Sequence, residues 1–168
     1  YKLCGVKARE YTNATTMGMI NAKTGEFDLE IVDALGYPRQ LFPKLSQPGT
    51  VLGEYEGISC VLCATHDTGS AVEGIPMEGN HPYISTGTWS LLGTELTRPI
   101  TTEAAMKSGF TNEGGYNGTT RFLKNIMGMW MLQCIHKEID GVYSFAEMAQ
   151  LAQTSAYPCW IDAADNRF

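Results

Sequence analysis

No G-x-x-x-x-G-K-[ST] loop occurs in the sequence, which excludes a P-loop nucleotide-binding enzyme. Long apolar runs are missing too. Those around Ile58 and Met127 fall well short of the ~20 residues a helix needs to cross a bilayer, and no signal peptide precedes the first expected strand. A cytoplasmic enzyme is therefore the default expectation. Positive charge is scarce: 12 Lys and Arg stand against 18 Asp and Glu, a net charge of −6. The cations are scattered and form no stripe for nucleic acid or an anionic membrane. An anionic ligand would have to be met by backbone dipoles and a metal. The cysteines number five and are irregularly spaced, so no disulfide framework is expected. Cys60-x-x-Cys63 followed by His66 has the look of a zinc site. In a strand, however, residues three apart point to opposite faces, and packed core thiols are the better expectation.

What is present fits a globular protein of 168 residues, 43% hydrophobic and 18% charged, with room for one domain or parts of two. The stretch Val61 to Gly93 organises the rest. Ile58 to Ala64 is short, apolar and β-branched, and reads as a central strand covered on both faces. Asp67 and Thr68 then fall just past its carboxyl end, where open α/β sheets present groups to a crevice. An aspartate beside a histidine and a hydroxyl there is suited to take a proton from a substrate hydroxyl. Tyr83 to Leu92 alternates and is interrupted at Gly87, where backbone N–H groups can approach a phosphate with the Thr88 hydroxyl beside them. The plainer alternatives are that Asp67 caps a helix beginning at Thr68 and that Gly87 only makes a hairpin.

Elsewhere the pattern predicts a strand over Met17 to Ala22, a turn at Lys23 to Glu26, and a helix from Leu29 to Leu35 capped by Asp28 and stopped by Gly36. Prolines at 38, 43 and 48 break the next stretch. A brief strand is expected at Val51 to Glu54, a short helix over Thr68 to Ile75, and an interdomain hinge at Pro76 to Asn80. Thr102 to Ser108 reads as a helix stopped at Gly109, and Asn112 to Gly118 as a glycine-rich loop. Leu123, Ile126, Met127, Trp130, Met131, Cys134 and Ile135 share one face at helical spacing, predicting one long helix. On that helix Asn125 and Gln133 would lie about 12 Å apart along the axis and about 80° apart around it. Ser144-x-x-Glu147 is a capping box opening a last helix.

His66-Asp67-Thr68-Gly69-Ser70-Ala71, Y-I-S-T-G-T-W-S-L-L-G at Tyr83 to Gly93, F-T-N-E-G-G at Phe110 to Gly115, and R-F-L-K-N-I-M-G-M-W-M-L-Q at Arg121 to Gln133 occur in that order. With E-Y-T-N-A-T-T at Glu10 to Thr16 and Q-P-G-T at Gln47 to Thr50, they resemble the FGGY family of carbohydrate kinases, and within it the kinases of L-rhamnulose. The resemblance covers essentially the whole sequence. It implies a ribonuclease H-like (actin-like ATPase) α/β fold, here parts of two domains: residues 1–77 the end of the N-terminal sugar domain, residues 78–168 the start of the C-terminal nucleotide domain. It implies ATP with Mg2+ as phosphoryl donor and L-rhamnulose phosphorylated at its 1-hydroxyl.

By the same resemblance, Asp67 is the general base, His66 and Thr68 hold the ketose with it, Gly87 and Thr88 meet the phosphates, and Asn125 and Gln133 the rest of the nucleotide. Glu113 stays outside the catalytic set, because a carboxylate in a glycine-rich loop more often accepts backbone N–H groups. No metal ligand is assigned. The family's first phosphate loop and its adenine-side glycine segment are not recognisable here, so the sequence reads as an internal fragment, inactive alone. Kinases for fuculose, xylulose, ribulose or a polyol remain open, as does a non-catalytic sugar or nucleotide sensor of the same fold. A zinc hydrolase using Cys60, Cys63 and His66 is the remaining class.

Overall fold

The computed structural model describes residues 1–77, 79, 81–157, 159–162 and 165. Two compact units are present. One comprises Tyr1–Tyr83 and Gly93–Lys124, the other Ile84–Leu92 and Asn125–Phe168.

In the first unit a single helical turn, α1 (Tyr11–Ala14), continues into a 3-10 turn (Thr15–Met17). A two-stranded ribbon follows, β1 (Ile20–Asn21) paired antiparallel with β2 (Glu26–Phe27). The strand expected over Met17 to Ala22 is thus shortened at its start by the 3-10 turn. Helix α2 (Leu29–Ala34) begins where expected: the Asp28 carboxylate accepts the N–H groups of Glu30 and Ile31. Val32 on this helix is fully buried.

The strands β3 (Val51–Tyr55) and β4 (Ile58–Val61) form a separate antiparallel hairpin. Glu56 and Gly57 make its turn at φ 50° and 80°, the left-handed pair that matches the twist of a two-residue hairpin. The expectation of a central, doubly covered strand is corrected here. β4 pairs only with β3 among the described residues, and Ile58 and Val61 are 72% and 56% exposed. Cys63 is exposed and Cys60 half-buried, so neither is the packed core thiol expected.

Helix α3 (Asp67–Glu73) follows, with Val72 buried. The hinge expected at Pro76 to Asn80 includes Glu78 and Asn80, which lie outside the described residues, as do Asn166 to Phe168. A four-stranded sheet is then built from β5 (Pro82–Thr86), β6 (Trp89–Leu96), β7 (Thr111–Gly114) and β8 (Thr120–Met127), in the order β5-β6-β8-β7. Between β6 and β7, α4 (Glu103–Lys107) is capped by the Thr102 hydroxyl, which accepts the Ala105 N–H. In the first unit Leu123 is fully buried, beside Tyr83 and Gly93. A Cβ on Gly93 would come 2.8 Å from both neighbours, which explains a glycine in mid-strand.

The long helix expected from Leu123 to Ile135 does not form. Residues 120–127 are strand β8, Gly128 breaks the chain, and α5 (Met129–Glu138) starts after it. The apolar spacing fits a helix, but pairing decides: Thr111, Asn112, Glu113 and Gly114 face Leu123, Phe122, Arg121 and Thr120 across an antiparallel ladder. Phe110 and Phe122 stack at 4.6 Å between ring centroids, the packing that overrides local preference. The passage expected to be a glycine-rich loop accordingly supplies β7 and the 3-10 turn Tyr116–Gly118. Helix α6 (Phe145–Thr154) opens with the expected capping box, Ser144 and Glu147 each bonding the other's backbone.

Candidate active site

The chain reaches His66 through a segment hydrogen-bonded to the start of α1. Glu10 caps that turn, its carboxylate accepting the Thr12 N–H at 2.7 Å, the Thr12 hydroxyl at 2.6 Å and the Asn13 N–H at 3.0 Å. Its Oε2 also accepts the N–H and hydroxyl of Thr65, at 3.0 and 2.7 Å. The Thr12 hydroxyl oxygen in turn accepts the His66 N–H at 3.3 Å. Burial pushes the Glu10 carboxyl up, but the hydrogen bonds from Thr12, Thr65 and Asn13 outweigh it, and the group is held below its ordinary value.

His66 is the residue that caps α3. Its Nδ1 accepts the Gly69 N–H at 3.2 Å, and Asp67 is the first residue of the helix. This corrects the alternative in which Asp67 caps a helix starting at Thr68. The Asp67 side chain is 99% exposed, with Oδ1 accepting the Thr68 N–H at 2.7 Å. Its oxygen lies 3.9 Å from Nδ1 of His66, but a nitrogen already accepting an N–H carries no proton to share. The carboxylate is therefore free toward solvent. Sugar-side candidates His66, Asp67 and Thr68 are thus brought together on one rigid turn.

Behind that turn lies a buried ion pair. Glu113 and Arg121 stand directly opposite each other on β7 and β8, with Arg121 Nη2 3.0 Å from Glu113 Oε2 and the arginine side chain wholly buried. Arg121 Nε donates to the Gly114 carbonyl at 3.1 Å. Glu113 therefore serves a guanidinium, not the backbone N–H groups expected of it.

In the second unit Gly87 and Thr88 form the tight connection between β5 and β6. Their carbonyls accept the N–H groups of Met129 and Trp130, at 2.9 and 3.1 Å, so the turn is bonded to the first residues of α5. Gly128 packs closely here: a Cβ on it would sit 2.5 Å from the Gly87 carbonyl oxygen and from Ser90 Oγ. Asn125 is exposed on β8 and Gln133 exposed on α5. They do not share one helix, so the spacing of about 12 Å and about 80° drawn from helical geometry does not apply. Gln133 rides on the helix bonded to the Gly87 turn.

Glu10, Thr12, Thr65 and Arg121 were not among the sequence-derived candidates. Glu10 and Thr12 lie in E-Y-T-N-A-T-T and Arg121 opens R-F-L-K-N-I, but their roles depend on contacts 54 and 55 residues distant. Recognising the β7/β8 hairpin would have placed Arg121 opposite Glu113. Among the described residues no group of three or more His, Cys, Asp or Glu is placed to hold a metal ion, and no helix is long and apolar enough to cross a membrane.

The N-terminal domain of the FGGY family of carbohydrate kinases matches residues 1–65, and the C-terminal domain of that family matches residues 82–160. A protein named rhamnulokinase from Halalkalibacterium halodurans is 42% identical over 177 residues, covering 100% of this chain and 38% of that protein. One of the same name from Ligilactobacillus salivarius is 44% identical over 180 residues, covering 100% and 37%. The chain thus spans little more than a third of the curated relatives it matches. Solved structures of similar fold include a xylulose kinase from Lactobacillus acidophilus, at TM-score 0.74 and 17% identity over 92% of this chain and 33% of that one. A gluconate kinase from the same organism has TM-score 0.73 and 18% identity over the same shares, 92% and 33%. The fold is that of the actin-like ATPases, as these structures share it, and with both domain matches in order along the sequence, the chain belongs to the FGGY family of carbohydrate kinases.

Proposed function

We propose that the full-length protein transfers the γ-phosphate of ATP to the 1-hydroxyl of L-rhamnulose, with Asp67 as general base. The observation that carries this reading is the Asp67 carboxylate: fully open, unpaired by His66, and fixed at a strand-to-helix turn that a buried glutamate holds in place. The rhamnulokinase relatives supply the sugar. The domain boundary is proposed at residues 77 and 78, with the sugar handled before it and the nucleotide after it.

In this mechanism the proton of the sugar 1-hydroxyl passes to Asp67 as its oxygen attacks the γ-phosphorus. The bond from phosphorus to the β,γ-bridging oxygen breaks and ADP departs with that electron pair. His66 and Thr68 hold the ketose. Gly87 and Thr88 meet the phosphates, and Asn125 and Gln133 contact the rest of the nucleotide. Phosphoryl transfer needs charge neutralisation and exclusion of water more than covalent work by the protein. Magnesium would supply the neutralisation, arriving with the nucleotide. The described residues offer it no cluster of three or more His, Cys, Asp or Glu.

The test is ADP release by the full-length protein with Mg-ATP across L-rhamnulose, L-fuculose, D-xylulose, L-ribulose and glycerol. Selective turnover of L-rhamnulose is expected, and Asp67→Asn should lower it by roughly a hundred- to ten-thousand-fold with little change in nucleotide affinity. Turnover of a different sugar would keep the mechanism and replace the substrate. Near-normal activity of Asp67→Asn would remove the base.

A further inference from the structure

The Glu113 and Arg121 pair is not used by the mechanism above, yet Arg121 is the most deeply buried charged residue among the described residues of the first unit, its side chain at 0% exposure. Burying a guanidinium is costly unless its partners are well placed, and such pairs are often no better for stability than an apolar substitute. This one is also incompletely satisfied. Tyr83 Oη and Arg121 Nη1 are buried with no hydrogen-bond partner among the described residues, and Glu113 Oε2 has only its ion pair with Arg121 Nη2 at 3.0 Å; Tyr83 lies within electrostatic reach of both charged groups. Unsatisfied groups gathered at one place call for a reason other than stability.

The reason is found at the other end of the guanidinium. Arg121 Nη2 lies 3.5 Å from Nδ1 of His66, the nitrogen that also accepts the Gly69 N–H at 3.2 Å. The guanidinium carbon would be 3.5 Å from a Cβ on Gly69, so it packs against the first turn of α3 itself. A ring nitrogen facing two donors is an acceptor, and the single proton of the neutral ring is then on Nε2.

We propose that Arg121 is a positioning residue: braced by Glu113 and the Gly114 carbonyl, it holds the His66 ring with Nδ1 as acceptor, so that Nε2–H is the donor offered to a sugar hydroxyl. What Nε2–H touches rests on the sugar-kinase reading; the state of the ring does not. Arg121 acts through the His66 ring and itself meets no substrate atom.

The test is nitrogen-15 NMR of the full-length protein labelled at histidine, paired with kinetics. In the wild type, His66 should show one tautomer, bare at Nδ1 and protonated at Nε2. The double variant Arg121→Gln with Glu113→Gln leaves no lone buried charge. It should populate both tautomers and lower kcat/KM for L-rhamnulose about ten- to a hundredfold, the usual scale for a lost supporting partner, with KM for ATP unchanged. Arg121→Lys keeps the charge opposite Glu113 but lacks the fork, and should show the same mixing if the double variant does not fold. A wild-type ring protonated at Nδ1, or a single unchanged tautomer in the variants, would overturn the proposal. If the tautomer responds to Arg121 but the wild type phosphorylates no sugar, the positioning role stands and the kinase reading falls.

Discussion

The Glu10 carboxylate holds Thr65 by both its backbone N–H and its hydroxyl, at 3.0 and 2.7 Å, across 55 residues of sequence. One residue further on is His66, whose own N–H is bonded to Thr12. The turn that presents Asp67 is therefore fastened to the start of α1.

Glu10→Gln places an amide NH2 where an oxygen now accepts N–H and O–H donors. Each hydrogen bond to a charged group contributes about 1.5 to 3 kcal/mol. Amide exchange at Thr65 and His66 should accordingly accelerate roughly ten- to a hundredfold, while exchange in β8 changes little. Unchanged protection at Thr65 would show that the carboxylate does not hold the turn.

The same group sets a pH dependence. Glu10 is depressed below its ordinary 4.5, burial raising it and the bonds from Thr12, Thr65 and Asn13 lowering it by more. Below 4.5 the unfolded chain takes up this proton before the native one does. Its contribution is thus complete above 4.5 and lost as pH falls through the native value. The stability difference between wild type and Glu10→Gln should be constant near neutrality and shrink on acidification below 4.5. A difference that grows in acid would reverse the sign assigned here.

At Gly128 a methyl group would collide with the Gly87 carbonyl oxygen, Ser90 Oγ and the Ser90 backbone nitrogen. Overpacking of this kind costs about 1 to 3 kcal/mol. Because the displaced atoms belong to the Gly87 turn, Gly128→Ala should raise the KM for ATP and leave the KM for the sugar near its wild-type value. Equal changes in both constants would point to general unfolding.

Leu123 is wholly buried against Tyr83 and Gly93, so Leu123→Ala should destabilise the first unit by about 2 to 5 kcal/mol. Denaturant unfolding followed by near-UV signals from Tyr83 and its neighbours would read this. A loss below about 1 kcal/mol would mean the position collapses around the smaller side chain.

Local chemistry was legible and long-range pairing was not. Asp28 and Ser144 cap helices as their sequence contexts indicate, because a cap is decided within four residues; Thr102, read as the first residue of its helix, is its cap instead. The segment from Leu123 to Ile135 misled because its apolar spacing suits a helix, whereas the partner strand at Thr111–Gly114 lies outside any local window. Ile58 to Ala64 looked central because β-branched residues mark strands without saying how many neighbours they have. At the candidate site the motif residues His66, Asp67 and Thr68 could be named from the sequence, but not the supports. Glutamate is an unusual cap, and an arginine within R-F-L-K carries no local sign that it will be buried opposite Glu113.

The two hydrogen bonds from Met129 and Trp130 to the carbonyls of Gly87 and Thr88 make the turn and the helix a single lever. If Thr88 meets the phosphates as proposed, a shift of the turn would reach Gln133 through those two bonds. On the proposed reading, nucleotide affinity on this side depends on the turn and the helix together, and substitutions at Gly87, Gly128 or Gln133 should not add independently.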